Sequence, residues 1–151
     1  MKRRWFVLAS VLSLILMPAF PGQANAAPPG VTPLSLSISS PSKREGNSGI
    51  TLMTFKVTLS TRPASTVTVL YQSFDGSAIS VANLADPADY IPVSGTLTFA
   101  PGERSQTITV QIVGDTRIEA NEAFVVLLSS PTGGAVLGDA QGIGTIVNDD
   151  R

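Results

Sequence analysis

From Leu34 to Val147 apolar and polar residues alternate in short runs rich in Val and Thr, and a period of two is the signature of a half-buried β-strand. Leu34 to Ser39 alternates Leu and Ile with Ser. Thr51 to Leu59 places Met53, Phe55, Val57 and Leu59 on one face, and Thr66 to Ser73 does the same with Val67, Val69 and Tyr71. Further runs follow at Gly95 to Phe99, Ser105 to Val113, Ala123 to Ser129 and Ile143 to Val147. Turn-forming clusters separate them, such as Pro41 to Gly49, Asp75-Gly76, Pro101-Gly102 and Pro131 to Gly134. No segment keeps a helical period, so the crossover helices of a parallel sheet are not available. The expectation is all-β: seven short strands in a two-sheet sandwich with Greek-key topology. The connection from Ala78 to Pro92 reads equally as an irregular loop or as one holding a helical turn.

The first residues read as an address. Lys2, Arg3 and Arg4 precede an apolar run from Trp5 to Met17, which Pro18 and Pro21 interrupt before Ala24-Asn25-Ala26 offers the small residues a signal peptidase reads. A membrane span needs roughly 20 apolar residues, and this run is shorter. The predicted organisation is a cleavable Sec-type signal peptide over residues 1–26, a linker over 27–33 and one domain over 34–151. The expected product is secreted or periplasmic, with no membrane insertion after cleavage.

Composition removes whole classes of chemistry. The 151 residues include no Cys and no His, which excludes disulfides, thiolate or imidazole metal ligands, and mechanisms built on a Cys nucleophile or a His base. Without the three signal-segment cations, seven basic residues face eleven acidic ones, a net charge of −4. That balance, with no Lys/Arg cluster, argues against nucleic acid or anionic lipid as partners. A Ser–Lys dyad would have to use Lys43 or Lys56, and the alternation puts Lys56 on the outer face. The only Trp lies in the signal, so no aromatic platform for sugar accompanies the acids. The chain is not expected to be an enzyme.

Seven pieces in order carry a family resemblance: Glu45-Gly46-Asn47; Phe55-Lys56-Val57-Thr58-Leu59-Ser60; Asp75-Gly76-Ser77-Ala78; Asp89-Tyr90; Gly95 through Glu103; Glu119-Ala120-Asn121-Glu122-Ala123-Phe124; and Asn148-Asp149-Asp150. Together they resemble the Calx-beta domain of sodium/calcium exchangers, integrin β4 and bacterial surface proteins. The resemblance implies an immunoglobulin-like sandwich whose loops hold Ca²⁺ at one end in some members and have lost it in others. Position by position it nominates Asp89, Asp115, Glu119, Glu122, Asp149 and Asp150 as ligands.

Ca²⁺ takes six to eight oxygen ligands, and clustered carboxylates without cations repel one another. The set departs from the family where Gly114 and Asn148 replace acids and where the first strand offers none near Ser39. A depleted site implies weak binding, at a dissociation constant of about 10⁻⁴ to 10⁻³ M for an extracellular module. Arg117 lies inside the acidic loop as a potential internal neutraliser. Glu45 reads as a turn residue, and Tyr90 and Phe124 as core aromatics. Two functional readings remain open: a Ca²⁺-binding module for contact with a protein or a cell-surface or matrix component, and a metal-free interaction sandwich.

Overall fold

The computed structural model describes residues 32–81 and 87–151. The predicted signal peptide, most of the 27–33 linker and residues 82–86 lie outside the described residues. Ten strands follow in order: β1 (Ser35–Ile38), β2 (Ser42–Arg44), β3 (Gly49–Leu59), β4 (Val67–Phe74), β5 (Tyr90–Ile91), β6 (Ser94–Phe99), β7 (Ser105–Gly114), β8 (Glu122–Ser129), β9 (Val136–Asp139) and β10 (Gln141–Val147). No helix occurs among the described residues, so none there is long and apolar enough to cross a membrane.

The strands form two five-stranded sheets, ordered β5-β7-β3-β1-β9 and β2-β10-β8-β4-β6. The sandwich is the expected one, but the strand count differs because both terminal strands divide between the sheets and because the Ala78 to Pro92 connection, read as a loop or a helical turn, holds the two-residue strand β5. The run predicted from Leu34 to Ser39 stops at Ile38, and beyond Pro41 the chain joins the second sheet as β2. Its three residues, Ser42, Lys43 and Arg44, are all exposed, and two charges on an edge discourage pairing with another molecule. At the other terminus β9 runs parallel to β1, while β10 crosses to lie antiparallel to β8. Neither β2 nor β9 alternates in burial, so the periodic signal is missing from both.

The central strands follow the alternation closely. Met53, Phe55, Val57 and Leu59 of β3 are buried and meet Ile108, Val110 and Ile112 of β7 through a register running from Gly49↔Gly114 to Thr58↔Ser105. Lys56 points outward. Val67 and Val69 of β4, Leu97 and Phe99 of β6, and Phe124, Val126 and Leu128 of β8 close the core from the other sheet. Each such side chain contributes about 1.5–3 kcal/mol on leaving water.

Phe124 lies toward the end of the core where β8 begins. Its ring packs edge-on to Phe55, with centroids 5.8 Å apart, and stacks on Tyr90 at 4.3 Å. Room for it comes from Gly144 on β10, where a Cβ would sit 2.6 Å from the ring. The core thus reaches up to one end of the sandwich and fixes Tyr90 there, directly after Asp89.

Candidate metal centre

Four chain segments converge at that end: the turn between β2 and β3, the residues leading into β5, the loop from β7 to β8, and the residues after β10. The turn is joined to the C-terminal residues by main-chain and side-chain bonds. The Glu45 amide donates to Val147 O at 3.3 Å, the Gly46 amide to Asp149 Oδ1 at 3.1 Å, and the Asn47 side-chain amide to Asp150 Oδ1. Gly46 needs its positive φ of 83° to make this turn.

Asp89 is held from both sides. Its amide donates to Ile79 O at 2.9 Å, its Oδ2 accepts from the Ile79 amide at 2.6 Å, and its carbonyl accepts from Val113 N at 2.8 Å. Next to it, the Tyr90 hydroxyl donates to Asp75 Oδ1 at 2.6 Å. Burial and that bond push the Tyr90 hydroxyl up to about 12, while the same bond holds Asp75 below the usual carboxylate range. Asp75 therefore anchors the loop.

The β7–β8 loop is shaped by its own side chains. Asp115 Oδ1 accepts from the Arg117 amide at 2.7 Å, a local turn of the kind Asp favours. The Asn148 side-chain amide donates to Arg117 O at 2.7 Å, and its Oδ1 accepts from the Asp150 amide at 2.8 Å. Asn121 Oδ1 receives the Asn148 amide at 3.2 Å. Asn148 thus ties the acidic loop to the terminal acids with a donor that Asp lacks. Arg117 Nη1 lies 3.3 Å from Glu119 Oε1.

All six nominated acids lie in this region, in two overlapping groups. Asp89, Glu119 and Glu122 each offer an oxygen, all within 4.8 Å of one another. Asp115, Asp150, Glu119 and Asp149 act electrostatically on a seventh carboxyl, that of Glu45, and Glu119 belongs to both groups.

Glu45 is the residue that sequence reasoning placed in the turn alone. The turn's bonds are made by its main chain, since the carbonyl accepts from Thr51 Oγ1 at 2.8 Å, and the side chain is left to the cluster. Only 6% of Glu45 is exposed. Burial first, then Asp115, Asp150, Glu119 and Asp149, push its carboxyl up to about 7. Asp150 Oδ2 is buried with no hydrogen-bond partner.

Gly114 also has a role beyond a missing acid. A Cβ there would come within 2.1 Å of Gly46 O and 2.9 Å of Glu45 O, so glycine lets β7 close on the turn that carries Glu45. An oxygen-only set of carboxylates and carbonyls suits a hard cation such as Ca²⁺ and not Zn²⁺ or copper. An orphaned buried oxygen and a buried carboxyl raised by four others are the features a bound cation relieves.

Comparison with known proteins gives a consistent relationship. The family model described as the Calx-beta domain matches residues 36–151. The fold is similar to the apo-form Calx CBD1 domain, with TM-score 0.68 and 20% identity over 79% of this chain and 100% of that one. It is similar also to calcium binding domain CBD12 of CALX1.1, at TM-score 0.66 and 21% identity, covering 77% of this chain and 46% of that one. A stretch of 51 residues, 34% of the chain, is 47% identical to adhesion G-protein coupled receptor V1 of Danio rerio, of which it spans 1%. With the family model matched over nearly all of the described residues, the chain belongs to the Calx-beta domain family.

Proposed function

We propose that this protein is an exported Calx-beta module whose acidic end binds Ca²⁺ weakly and thereby stiffens a surface for contact with a protein or a cell-surface or matrix component. The observation that carries the reading is the buried Glu45 carboxyl, raised by burial and by four other carboxylates with no hydrogen bond among the influences on it. Asp150 Oδ2, buried and without a donor, supports it. Seven carboxyls drawn from four segments provide more oxygens than a weak site needs, and water completes the shell.

Family membership favours a binding or regulatory module over a catalyst, in keeping with a chain that lacks Cys and His. The N-terminal address and the similarity to an adhesion receptor favour a place outside the cytoplasm. Export is checked by sequencing the N-terminus of the secreted product, expected to begin at Ala27.

Calcium binding is tested by following thermal unfolding during titration with Ca²⁺. At ten times the dissociation constant, native-state binding adds about 1.4 kcal/mol, or about 5 °C for a domain of this size. No rise at several millimolar Ca²⁺ overturns the reading.

A metal-free interaction sandwich is favoured by one other observation. Phe74, Val125 and Ile143 align in register on the outer face of the second sheet, with Phe74 and Ile143 exposed. An unchanged melting temperature with Ca²⁺ would leave that reading in place.

A further inference from the structure

Arg117 projects from the loop that carries Asp115 and Glu119, and its place is fixed at three points. Its amide is gripped by the Asp115 carboxylate at 2.7 Å, its carbonyl by the Asn148 side-chain amide at 2.7 Å, and its guanidinium lies 3.3 Å from Glu119 Oε1. Glu119 is the acid shared by the two groups, within 4.8 Å of oxygens of Asp89 and Glu122 and close enough to Glu45 to raise it. A cation at Glu119 therefore neutralises the acid on which both halves of the cluster depend.

We propose that Arg117 is a built-in counter-cation that occupies Glu119 when no metal is bound and must leave it when Ca²⁺ arrives. The inference rests on the calcium reading above and concerns what sets the affinity. Arg117 is 49% exposed while Glu119 is 19% exposed, so the guanidinium has water beside it into which to swing. An exposed ion pair is cheap to break, and the larger cost is holding a positive guanidinium near a divalent ion. The main-chain grips by Asp115 and Asn148 survive that swing, because they involve the amide and carbonyl and not the side chain. The loop then keeps its shape in both states, and Ca²⁺ binding exchanges one cation for another without refolding the end of the sandwich.

The test uses the purified protein with Arg117→Gln and Arg117→Lys, measuring the Ca²⁺ dissociation constant by calorimetry and the melting temperature without metal at low ionic strength. Expected for Arg117→Gln is binding roughly three- to tenfold tighter, from removal of one repelling charge. Its metal-free melting temperature is expected to fall, with Arg117→Lys returning both values toward those of the parent. A merely structural arginine would lower stability and weaken or leave unchanged the binding. An Arg117→Gln protein that binds Ca²⁺ no more tightly than the parent overturns the proposal while sparing the calcium reading. Absence of binding in parent and variants alike overturns both, and binding by Arg117→Gln alone supports the counter-cation in its strongest form.

Discussion

The two ends of the sandwich differ in the charge they gather. At the end formed by the β3–β4, β6–β7 and β8–β9 connections, side chains find partners within the protein. Glu103 accepts from the Ala100 amide at 3.0 Å and from Gln106 Nε2 at 2.7 Å. Arg104 Nε donates to Leu59 O at 2.8 Å, Arg62 to Gly102 O at 3.0 Å, and Thr68 and Thr132 share their hydroxyls at 2.8 Å. At the acidic end seven carboxyls meet Arg117, and one buried oxygen of Asp150 has no partner. The same fold concentrates carboxyls at that end. A protein that held acids only for solubility would spread them over its surface, where water screens them.

Removing the aromatic support beneath the acidic end is the largest perturbation. Phe124→Ala leaves a cavity beneath Tyr90 and next to Phe55, and a loss of about 3–5 kcal/mol is expected in urea unfolding. Next is pH. The folded-state value for Glu45, about 7, lies above its unfolded value near 4.5, so its contribution is intact below pH 4.5 and lost as pH rises through 7. Thermal melts should show the gap between Ca²⁺-loaded and metal-free protein widening from pH 5 to pH 8, and Glu45→Gln should abolish the widening.

Adding an acid to the acidic end is a sharper probe than removing one. Gly114→Asp forces a side chain onto Gly46 O and should cost about 2 kcal/mol by denaturant midpoint, without tightening Ca²⁺ binding in calorimetry. The smallest effect belongs to the satisfied end. Glu103→Gln should cost about 1 kcal/mol and leave the Ca²⁺-induced shift in melting temperature unchanged. A change in that shift would break the contrast between the ends.

What could be read in advance follows from how each residue announces itself. Met53, Phe55, Val57 and Leu59 declare an inner face because one side of β3 is wet and the other dry, whereas Val136 and Leu137 of β9 are exposed and carry no such contrast. The gathering of the six acids at one end was legible through the order of their motifs. Glu45 was not, because a Glu before a turn glycine looks the same whether its side chain or its main chain makes the turn's bonds. Gly114 and Asn148 were legible as departures but not as devices. The close approach of β7 to Gly46 and the donation from Asn148 to Arg117 arise from neighbours distant in the chain.

The splitting of the terminal strands also sets how the domain bears load. β1 runs parallel to β9 and β2 parallel to β10, with Ser35 opposite Val136 and Thr145 opposite Ser42. Tension between the first and last strands therefore drags the paired strands past each other in shear, so that several bonds must rupture together instead of opening one by one like a zipper. Forced unfolding is governed by the unfolding rate and not by equilibrium stability. The lengthwise join between the two termini is then the element that decides how the domain holds under tension.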